Sequence, residues 1–385
     1  MSNAQANPSK KLTPADVLRG ESPLVLTATL EPIAGDRFQP AGFPEIGHVI
    51  YKAPRKDGST ENVCIVDSAA SMANHLESVC QRGAHDLDLV DELAGMPYIR
   101  CVTGELVDGK LPQDKREVIV TSLTEGHRIA SNYFLGTRKK RKWDGKSAQR
   151  LADDGTIASE SFGDELAKPR YFGIQRDGET IAHPPPERWW NVFRTIFEFD
   201  PNSLVHGVLF TEWQIKIPRA LTAHLEAFGA GRVDRSGVKF DRLGKTTSGQ
   251  PIFAVDDATA ALIRATFVLD VSLIRSFGRK KGAETVGLSE SQQEFVVALA
   301  LWKVKKLLES PFRFRSGCHL RCATLEAYDT EVQIDVNIVH AIKHAGLDKE
   351  PITDVFWPRE ELYREGKEKD GDNAPDEEEN QDETT

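Results

Sequence analysis

The chain has 385 residues, of which 39% are hydrophobic, so we expect a globular protein with a substantial core. Its five cysteines are scattered without C-x-x-C spacing, which fits a reducing cytoplasm and excludes a disulfide scaffold. No stretch approaches the roughly 18 uninterrupted apolar residues of a membrane span, so we expect a soluble cytoplasmic protein.

The net charge of −10 is concentrated at one end of the chain. Residues 366–385 hold nine acids and two lysines, a net of −7, which leaves −3 for residues 1–365. A nearly neutral body with basic clusters favours a polyanionic partner, although each cluster alone is also compatible with a solvated face. The clusters are 138–142, 279–281, Lys303 with Lys305 and Lys306, and Arg313 with Arg315 and Arg321.

We expect residues 1–20 and 366–385 to be disordered, which leaves a folded body over 21–365. A β-branched strand is predicted at 24–30, near the centre of a sheet, and the loop 35–44 that follows is broken by glycine and proline. A second strand at 62–66 leads into Asp67-Ser68, a good N-cap, and a helix begins there.

This helix has one apolar side and one side of small uncharged donors. Met72 and Leu76 lie on the apolar side, whereas Ser71, Asn74, His75 and Ser78 lie on the other. Solvent-exposed helix faces usually carry Lys and Glu, so part of this face is predicted to meet a ligand. An ordinary surface face remains the alternative.

The rest of the chain alternates between strands and helices. A capping box at Ser122-x-x-Glu125 predicts a helix through Phe134, and Ser289-x-x-Gln292 predicts another to Glu309, ended by Pro311. The polar segments around 82–117 and 136–200 are predicted insertions. The pattern indicates an α+β fold with helices on one face of a sheet. Further predictions are strands at 118–121, 203–211 and 265–274, a helix at 219–228, and an amphipathic segment at 332–345.

Enzyme and metal motifs fail on spacing. Gly244-Lys245-Thr246 resembles the end of a phosphate loop, but Lys239 stands where the first glycine is required. His340 and His344 lack a nearby third ligand, so surface or packing histidines are the favoured interpretation. We therefore predict no catalytic residues, no metal and no cofactor.

The loop 35–44 is the most informative local feature. It combines a cation, Arg37, an aromatic, Phe38, and an amide, Gln39, which are residue types that contact RNA. Arginine binds phosphate bidentately, and a phenyl ring stacks on a base. A tight structural loop with Arg37 paired to a local carboxylate is the alternative.

Three stretches together resemble one known family. They are 24–31 followed by Gly-Asp-Arg-Phe-Gln-Pro-Ala-Gly-Phe-Pro at 35–44, Val-Asp-Ser-Ala-Ala-Ser-Met-Ala-Asn-His-Leu-Glu at 66–77, and Glu-Gly-His-Arg-Ile-Ala-Ser at 125–131. The chain is similar to the RAMP-type Cas-seven backbone subunit, of the Csb family, in type I-U (also called I-G) CRISPR systems. The similarity covers most of residues 20–360 and is most specific in the first 135.

The resemblance implies an RRM-like (ferredoxin-like) palm with inserted finger and thumb elements, the thumb lying in 136–187 or around 235–245. It also implies that copies of the chain stack helically along CRISPR RNA in a Cascade complex for antiviral defence, beside other Cascade subunits, and that target DNA pairs with the guide. By the same resemblance Arg37, Phe38, Gln39, Ser71 and Asn74 meet the guide backbone. With the adjacent polar and basic residues, the predicted RNA-contact set also includes His127, Arg128, Arg138, Lys139, Lys140, Arg279, Lys280 and Lys281.

The main alternative is a RAMP-type endoribonuclease that processes CRISPR RNA. His127 beside Arg128 is the only pair that such a reaction suggests, and no convergent acid and base accompany it. A target-cleaving role for Asp36 is a further possibility by analogy with type III backbone subunits. A purely structural protein without RNA contact is disfavoured by the basic clusters.

Overall fold

A computed structural model describes residues 10–43, 47–83, 85–136, 138–139, 142–143, 148–177, 180–182, 188–233, 257–347 and 352–362. The acidic segment 366–385, Lys140 and the region 235–245 lie outside these ranges. The helices are α1 Pro14–Arg19, α2 Ala69–Ser78, α3 Asn132–Leu135, α4 Phe162–Ala167, α5 Trp189–Phe199, α6 Asn202–His206, α7 Val271–Ser276, α8 Glu290–Leu308, α9 Ile338–His344 and α10 Arg359–Leu362.

The strands, in chain order, are β1 Lys10–Leu12, β2 Leu24–Pro32, β3 Gly42–Phe43, β4 Gly47–His48, β5 Ile50–Pro54, β6 Thr60–Asp67, β7 Gln81–Gly83, β8 Asp86–Leu89, β9 Tyr98–Thr103, β10 Glu117–Thr121, β11 Arg138–Lys139, β12 Lys142–Trp143, β13 Gln149–Leu151, β14 Ile157–Ser161, β15 Gln175–Asp177, β16 Thr180–Ala182, β17 Val208–Phe210, β18 Ile215–Ile217, β19 Leu221–Phe228, β20 Gly231–Val233, β21 Asp257–Thr259, β22 Leu262–Leu269, β23 Gly278–Lys281, β24 Glu284–Gly287, β25 Phe312–Arg315, β26 Cys318–Ala327, β27 Thr330–Ile334 and β28 Ile352–Phe356. Together with the helices they form the predicted α+β fold.

A nine-stranded sheet forms the centre of the molecule. Its order is β1-β27-β26-β2-β22-β19-β6-β5, and β25 pairs with β26 beside this path. The predicted strand at 24–30 is β2, which pairs antiparallel with both β22 and β26 in the middle of the sheet. Burial alternates along β2, β19 and β22, so each strand turns one set of side chains into the core and the other toward a more open face.

The core side of the sheet packs against helices. The predicted capping box is present at α8, where Ser289 and Gln292 bond reciprocally to each other's backbone N–H groups. α8 is apolar around most of its circumference, as expected for a helix buried among α1, α2, α6, α7 and α9. No helix in the described part of the chain is both long and apolar enough to span a membrane.

A second, five-stranded sheet has the order β10-β9-β28-β13-β14. β9 comes from the predicted insertion at 82–117, and β13 and β14 come from the one at 136–200. The C-terminal strand β28 joins them, since it pairs parallel with β9 and antiparallel with β13. Arg100 and Arg116 fix this junction by donating to the buried carboxylate of Asp354.

Several sequence predictions of local structure are wrong. The helix predicted at 219–228 is the strand β19, whose alternating Leu221, Ala223, Leu225 and Ala227 are buried between β22 and β6. The segment is rich in residues that favour a helix, which obscured the strand-like alternation of buried side chains. Pairing with β22 and β6 overrides this helix propensity.

Two predicted strands contain helices instead. The segment 203–211 divides into α6 and β17 at Gly207, which adopts a φ of +77°. The segment 265–274 ends as a strand at Leu269, and Asp270 then caps α7 by accepting from the N–H of Leu273. The amphipathic segment 332–345 likewise divides into the end of β27 and α9.

The helix predicted from Ser122 is also absent. Ser122 Oγ accepts from the N–H of Ile99 rather than capping a helix, and the chain instead forms a 3-10 turn at Arg128–Ala130 and the short α3. At the N-terminus, residues 10–20 were predicted to be disordered. They form β1, which pairs parallel with β27, and α1, which packs on α8.

Candidate nucleic-acid interface

The loop after β2 is held in place by its backbone. The N–H of Phe38 donates to Ala258 O, and the N–H of Gln39 donates to Gly317 O at 2.9 Å. The N–H of Ala41 reaches Val66 O at the end of β6, at 2.8 Å. The loop is therefore attached by its backbone to three separate segments of the chain.

Asp67 connects this loop to helix α2. Its buried carboxylate accepts from Ser71 Oγ at 3.1 Å and from His75 Nε2 at 2.9 Å, and Arg315 Nη2 lies 2.7 Å from Oδ1. Burial alone raises the pKa of Asp67, but the hydrogen bond from His75 and the charge of Arg315 outweigh it, so the pKa is lowered. Asp67 is therefore an ionised carboxylate that positions the polar side of α2.

The first turn of α2 is open to solvent. Ser68 caps the helix by accepting from the N–H of Ser71, and Ala69 and Ala70 are exposed. Backbone N–H groups in a first turn have no intrahelical partner and carry the positive end of the helix dipole. One turn later Asn74 is also exposed. These groups present small hydrogen-bond donors without bulky side chains.

Arg313 and Arg315, named above only within a basic cluster, lie next to this surface. Arg315 faces inward, where it pairs with Asp67 and also donates to Val66 O. Arg313 is exposed and donates to Ser316 Oγ, in the turn whose Gly317 binds Gln39. The sequence signal is the alternation of Phe and Arg over Phe312–Arg315, because a strand places Arg313 and Arg315 on the face opposite the buried Phe314.

Two residues of the predicted contact set are buried among those whose side chains the structure describes. Phe38 is only 1% exposed and packs in the main core, so its ring cannot stack on an RNA base from this surface. Arg37, by contrast, keeps 61% of its side chain exposed, with Nη1 3.7 Å from Asp257 Oδ2. Of these two side chains, the loop therefore presents the cation but not the aromatic ring.

Arg128 is the second buried residue. Its Nε and Nη2 donate to the two carboxylate oxygens of Glu77, each at 2.8 Å, and Nη1 donates to Gly207 O. Asn202 Nδ2 donates to the same carboxylate at 2.7 Å, and Lys303 in turn donates to Asn202. Arg128 therefore joins α2 to α6 and α8 from inside and does not reach a ligand.

His127 remains exposed, with Nδ1 3.0 Å from Glu125 Oε1. Because Arg128 turns into the core, the two residues do not form the His and cation pair on which the ribonuclease interpretation depended. His340 and His344 stack at 5.7 Å on the surface of α9, and no group of three or more His, Cys, Asp or Glu suited to a metal occurs among the described residues.

Among the described basic residues, those at 279–281 do not lie beside the loop after β2. Arg138 and Lys139 lie in β11, of which only the backbone is described, and Lys140 lies outside the described residues. Arg279, Lys280 and Lys281 are exposed on β23. β23 comes after the end of β22, where Leu269 pairs with Leu24 at the start of β2. The loop that holds Arg37 begins after Pro32, at the opposite end of β2.

Comparison with known proteins gives a family match and a structural match. A family model described as CRISPR-associated protein GSU0053 (Cas_GSU0053) matches residues 24–232, more than half of the chain. The crystal structure of Csc2 from Thermofilum pendens matches with 12% sequence identity and a TM-score of 0.26, over 84% of this chain and 70% of the Csc2 chain. No curated protein matches the sequence.

Proposed function

The chain belongs to the CRISPR-associated GSU0053 family, and from this premise we propose that it is an RNA-binding backbone subunit of a Cascade surveillance complex. The family membership confirms the prediction of a CRISPR-associated protein. In the proposed assembly, copies of the chain stack along one CRISPR RNA beside other Cascade subunits, and the guide remains available to pair with target DNA.

The observation that carries this proposal is the open first turn of α2 beside an exposed, pre-shaped loop. Arg37 and Arg313 supply the charge for phosphate oxygens, and the N–H groups of Ala69 and Ala70 supply uncharged donors. Asn74 adds a side-chain donor and acceptor suited to a 2′-hydroxyl. Ser71 and His75 act indirectly, since both bind Asp67 and orient the helix.

An RRM-like palm is supported by the strand order at the centre of the main sheet. In chain order the four strands are β2, β19, β22 and β26. Across the sheet their order is β26-β2-β22-β19, that is fourth, first, third and second, and all neighbours are antiparallel. α2 lies between the first and second strands in the chain, and α8 lies between the third and fourth. The βαββαβ arrangement of ferredoxin-like folds has the same order, which supports the proposed palm. The second sheet is then an inserted element.

Such a surface binds the RNA backbone and does not recognise particular bases. Its groups suit phosphates and hydroxyls, and the ring of Phe38 is buried. Base edges would therefore point away and stay free for Watson–Crick pairing, which is the property a guide carrier needs. Binding is expected to be sequence-tolerant and to weaken as salt rises.

The experiment that tests this proposal replaces Arg37 by glutamate and measures binding of guide-length RNA over a salt series. We expect affinity to fall by about tenfold or more, and the salt dependence to lose about 0.7 in slope for each phosphate contact removed. Arg37 is exposed and its ion pair with Asp257 is long, so the substitution should cost little stability.

Lys343→Glu is the matched control, because it makes the same change in charge on the exposed surface of α9. It should bind RNA as the wild type does. If Arg37→Glu bound RNA with wild-type affinity, the loop would not be a contact for the guide. An RNA-free wild-type chain that also fails to bind added guide would overturn the proposed function itself.

A further inference from the structure

The hairpin of β23 and β24, here called the basic hairpin (residues 278–287), has a fixed orientation relative to the body of the protein. Two glycines pair across its base in the register Gly278 to Gly287. A Cβ at Gly278 would lie 1.9 Å from Leu288 O, and one at Gly287 would lie 2.2 Å from Phe277 O. The backbones therefore approach more closely than any other residue type allows.

The base of the hairpin is anchored in the body. Phe277 is fully buried and its ring lies 5.0 Å from that of Phe193 on α5. Gln293 Nε2 on α8 donates to the carbonyl oxygens of Gly278 and Leu288. Two helices thus hold the root of the hairpin, so its outer residues project in a set orientation rather than as an independent loop.

The outer part of the hairpin is basic and has no stacking surface. Arg279, Lys280 and Lys281 are exposed, against one acid, Glu284, that faces Lys281 in the register. Neither lysine makes an ion pair within the described part of the chain. The ring of Trp190, beside the base of the hairpin, is covered by the Arg279 guanidinium at 5.6 Å.

This surface is separate from the proposed guide site. The hairpin and the loop that holds Arg37 lie beyond opposite ends of β2, whose nine residues span roughly 26–30 Å at 3.2–3.4 Å per residue. The major groove of B-DNA admits a two-stranded β-ribbon, and side chains that alternate across such a ribbon reach the phosphates on both sides of the groove. The basic hairpin is a ribbon of this kind, with cations on both of its faces.

We infer that the basic hairpin is a second nucleic-acid contact, one that binds the phosphate backbone of double-stranded DNA through Lys280 and Lys281. Only the identification of that duplex as target DNA rests on the proposed function. The contact is independent of base sequence, and Arg279 sets the direction of the ribbon by stacking on Trp190.

The test compares binding of an arbitrary DNA duplex of about thirty base pairs with binding of guide-length single-stranded RNA, between 50 and 200 mM salt. In the K280A/K281A variant, which keeps the Arg279 stack, we expect duplex affinity to fall about tenfold and the salt slope to drop by about 1.8. RNA affinity should stay within about twofold of the wild type. K56A/K343A removes two exposed lysines elsewhere and serves as the control.

Each result separates the inference from the proposed function. Unchanged duplex affinity and slope in K280A/K281A, or a wild type that binds no duplex, would overturn the inference. An equal loss of RNA affinity would place the hairpin on the guide path and overturn it as well. A wild type that binds no guide but binds duplex through these lysines would reject the proposed function and leave the inference standing.

Discussion

Replacing Arg128 by methionine is expected to lower the free energy of unfolding by about 3–5 kcal/mol, because the buried carboxylate of Glu77 then loses its cationic partner. Both side chains are more than nine-tenths buried, and two hydrogen bonds of 2.8 Å join them. Arg128 has a φ of +53°, and methionine meets the same backbone constraint, so the change isolates the side chain. Urea unfolding followed by tryptophan fluorescence measures the difference.

Arg321→Met is the matched control, since Arg321 pairs with Glu31 at the surface, where such pairs contribute about 0–1 kcal/mol. A second variant, E77Q/R128M, removes both charges and should recover part of the loss, because an amide is less costly to bury than an unpaired carboxylate. If Arg128→Met were as stable as Arg321→Met, the ion pair would contribute nothing to the fold.

Elements with strong local signals could be predicted from the sequence. β2, β6, α2 and the capped α8 were predicted because β-branched runs, an N-cap and a capping box act within a few residues. β19 failed since its alternating Leu and Ala residues suit a helix equally well, and only pairing with β22 and β6 decides between the two. The joining of β28 to β9 brings together residues about 250 positions apart in the chain, which no local pattern records.

The site shows the same division between local and tertiary information. Residue type correctly suggested an exposed cation at Arg37, but nothing local says that Phe38 turns inward or that Arg128 meets Glu77. Arg315 was visible only as part of a basic cluster, and its role depends on Asp67, which lies about 250 residues earlier. Charge and polarity in a sequence thus indicate candidate contact residues, whereas burial in the fold determines which of them can reach a ligand.

Replacing Asp200 by asparagine is expected to stabilise the protein increasingly as the pH rises from 4 to 8. Burial is the main cause that raises the pKa of Asp200 from 3.8 to about 7. The Ser203 hydrogen bond and the charges of Arg128 and Lys303 oppose this, and Glu77 adds to it. One oxygen accepts from Ser203, whereas Oδ1 is buried with no hydrogen-bond partner among the described atoms. The carboxylate is therefore better accommodated protonated.

The sign follows from proton binding. Between pH 3.8 and about 7 the unfolded chain has lost the Asp200 proton while the native protein keeps it, so this group lowers stability as the pH rises. Above about pH 7 this loss of unfolding free energy is complete, and it is on the order of 2–4 kcal/mol. Asparagine removes the ionisation and keeps an acceptor for Ser203.

The difference between the two proteins must be measured, and not the wild-type profile alone, because His206 acts in the opposite direction. Burial first, then the charges of Lys303 and Arg128, hold the pKa of His206 well below 6.5, so this residue raises stability as the pH approaches that value. Neighbouring Cys80 stays protonated, since burial raises its pKa. Subtracting the profiles cancels both contributions.

Thermal unfolding of wild type and Asp200→Asn at pH 4, 5, 6, 7 and 8 should give a difference in Tm that is near zero at pH 4 and grows to a plateau above about pH 7. Asp114→Asn, at an exposed aspartate, should follow the wild type throughout. A difference that is constant across this range would mean that Asp200 does not titrate there, and that the charges of Arg128 and Lys303 hold it ionised in the native protein.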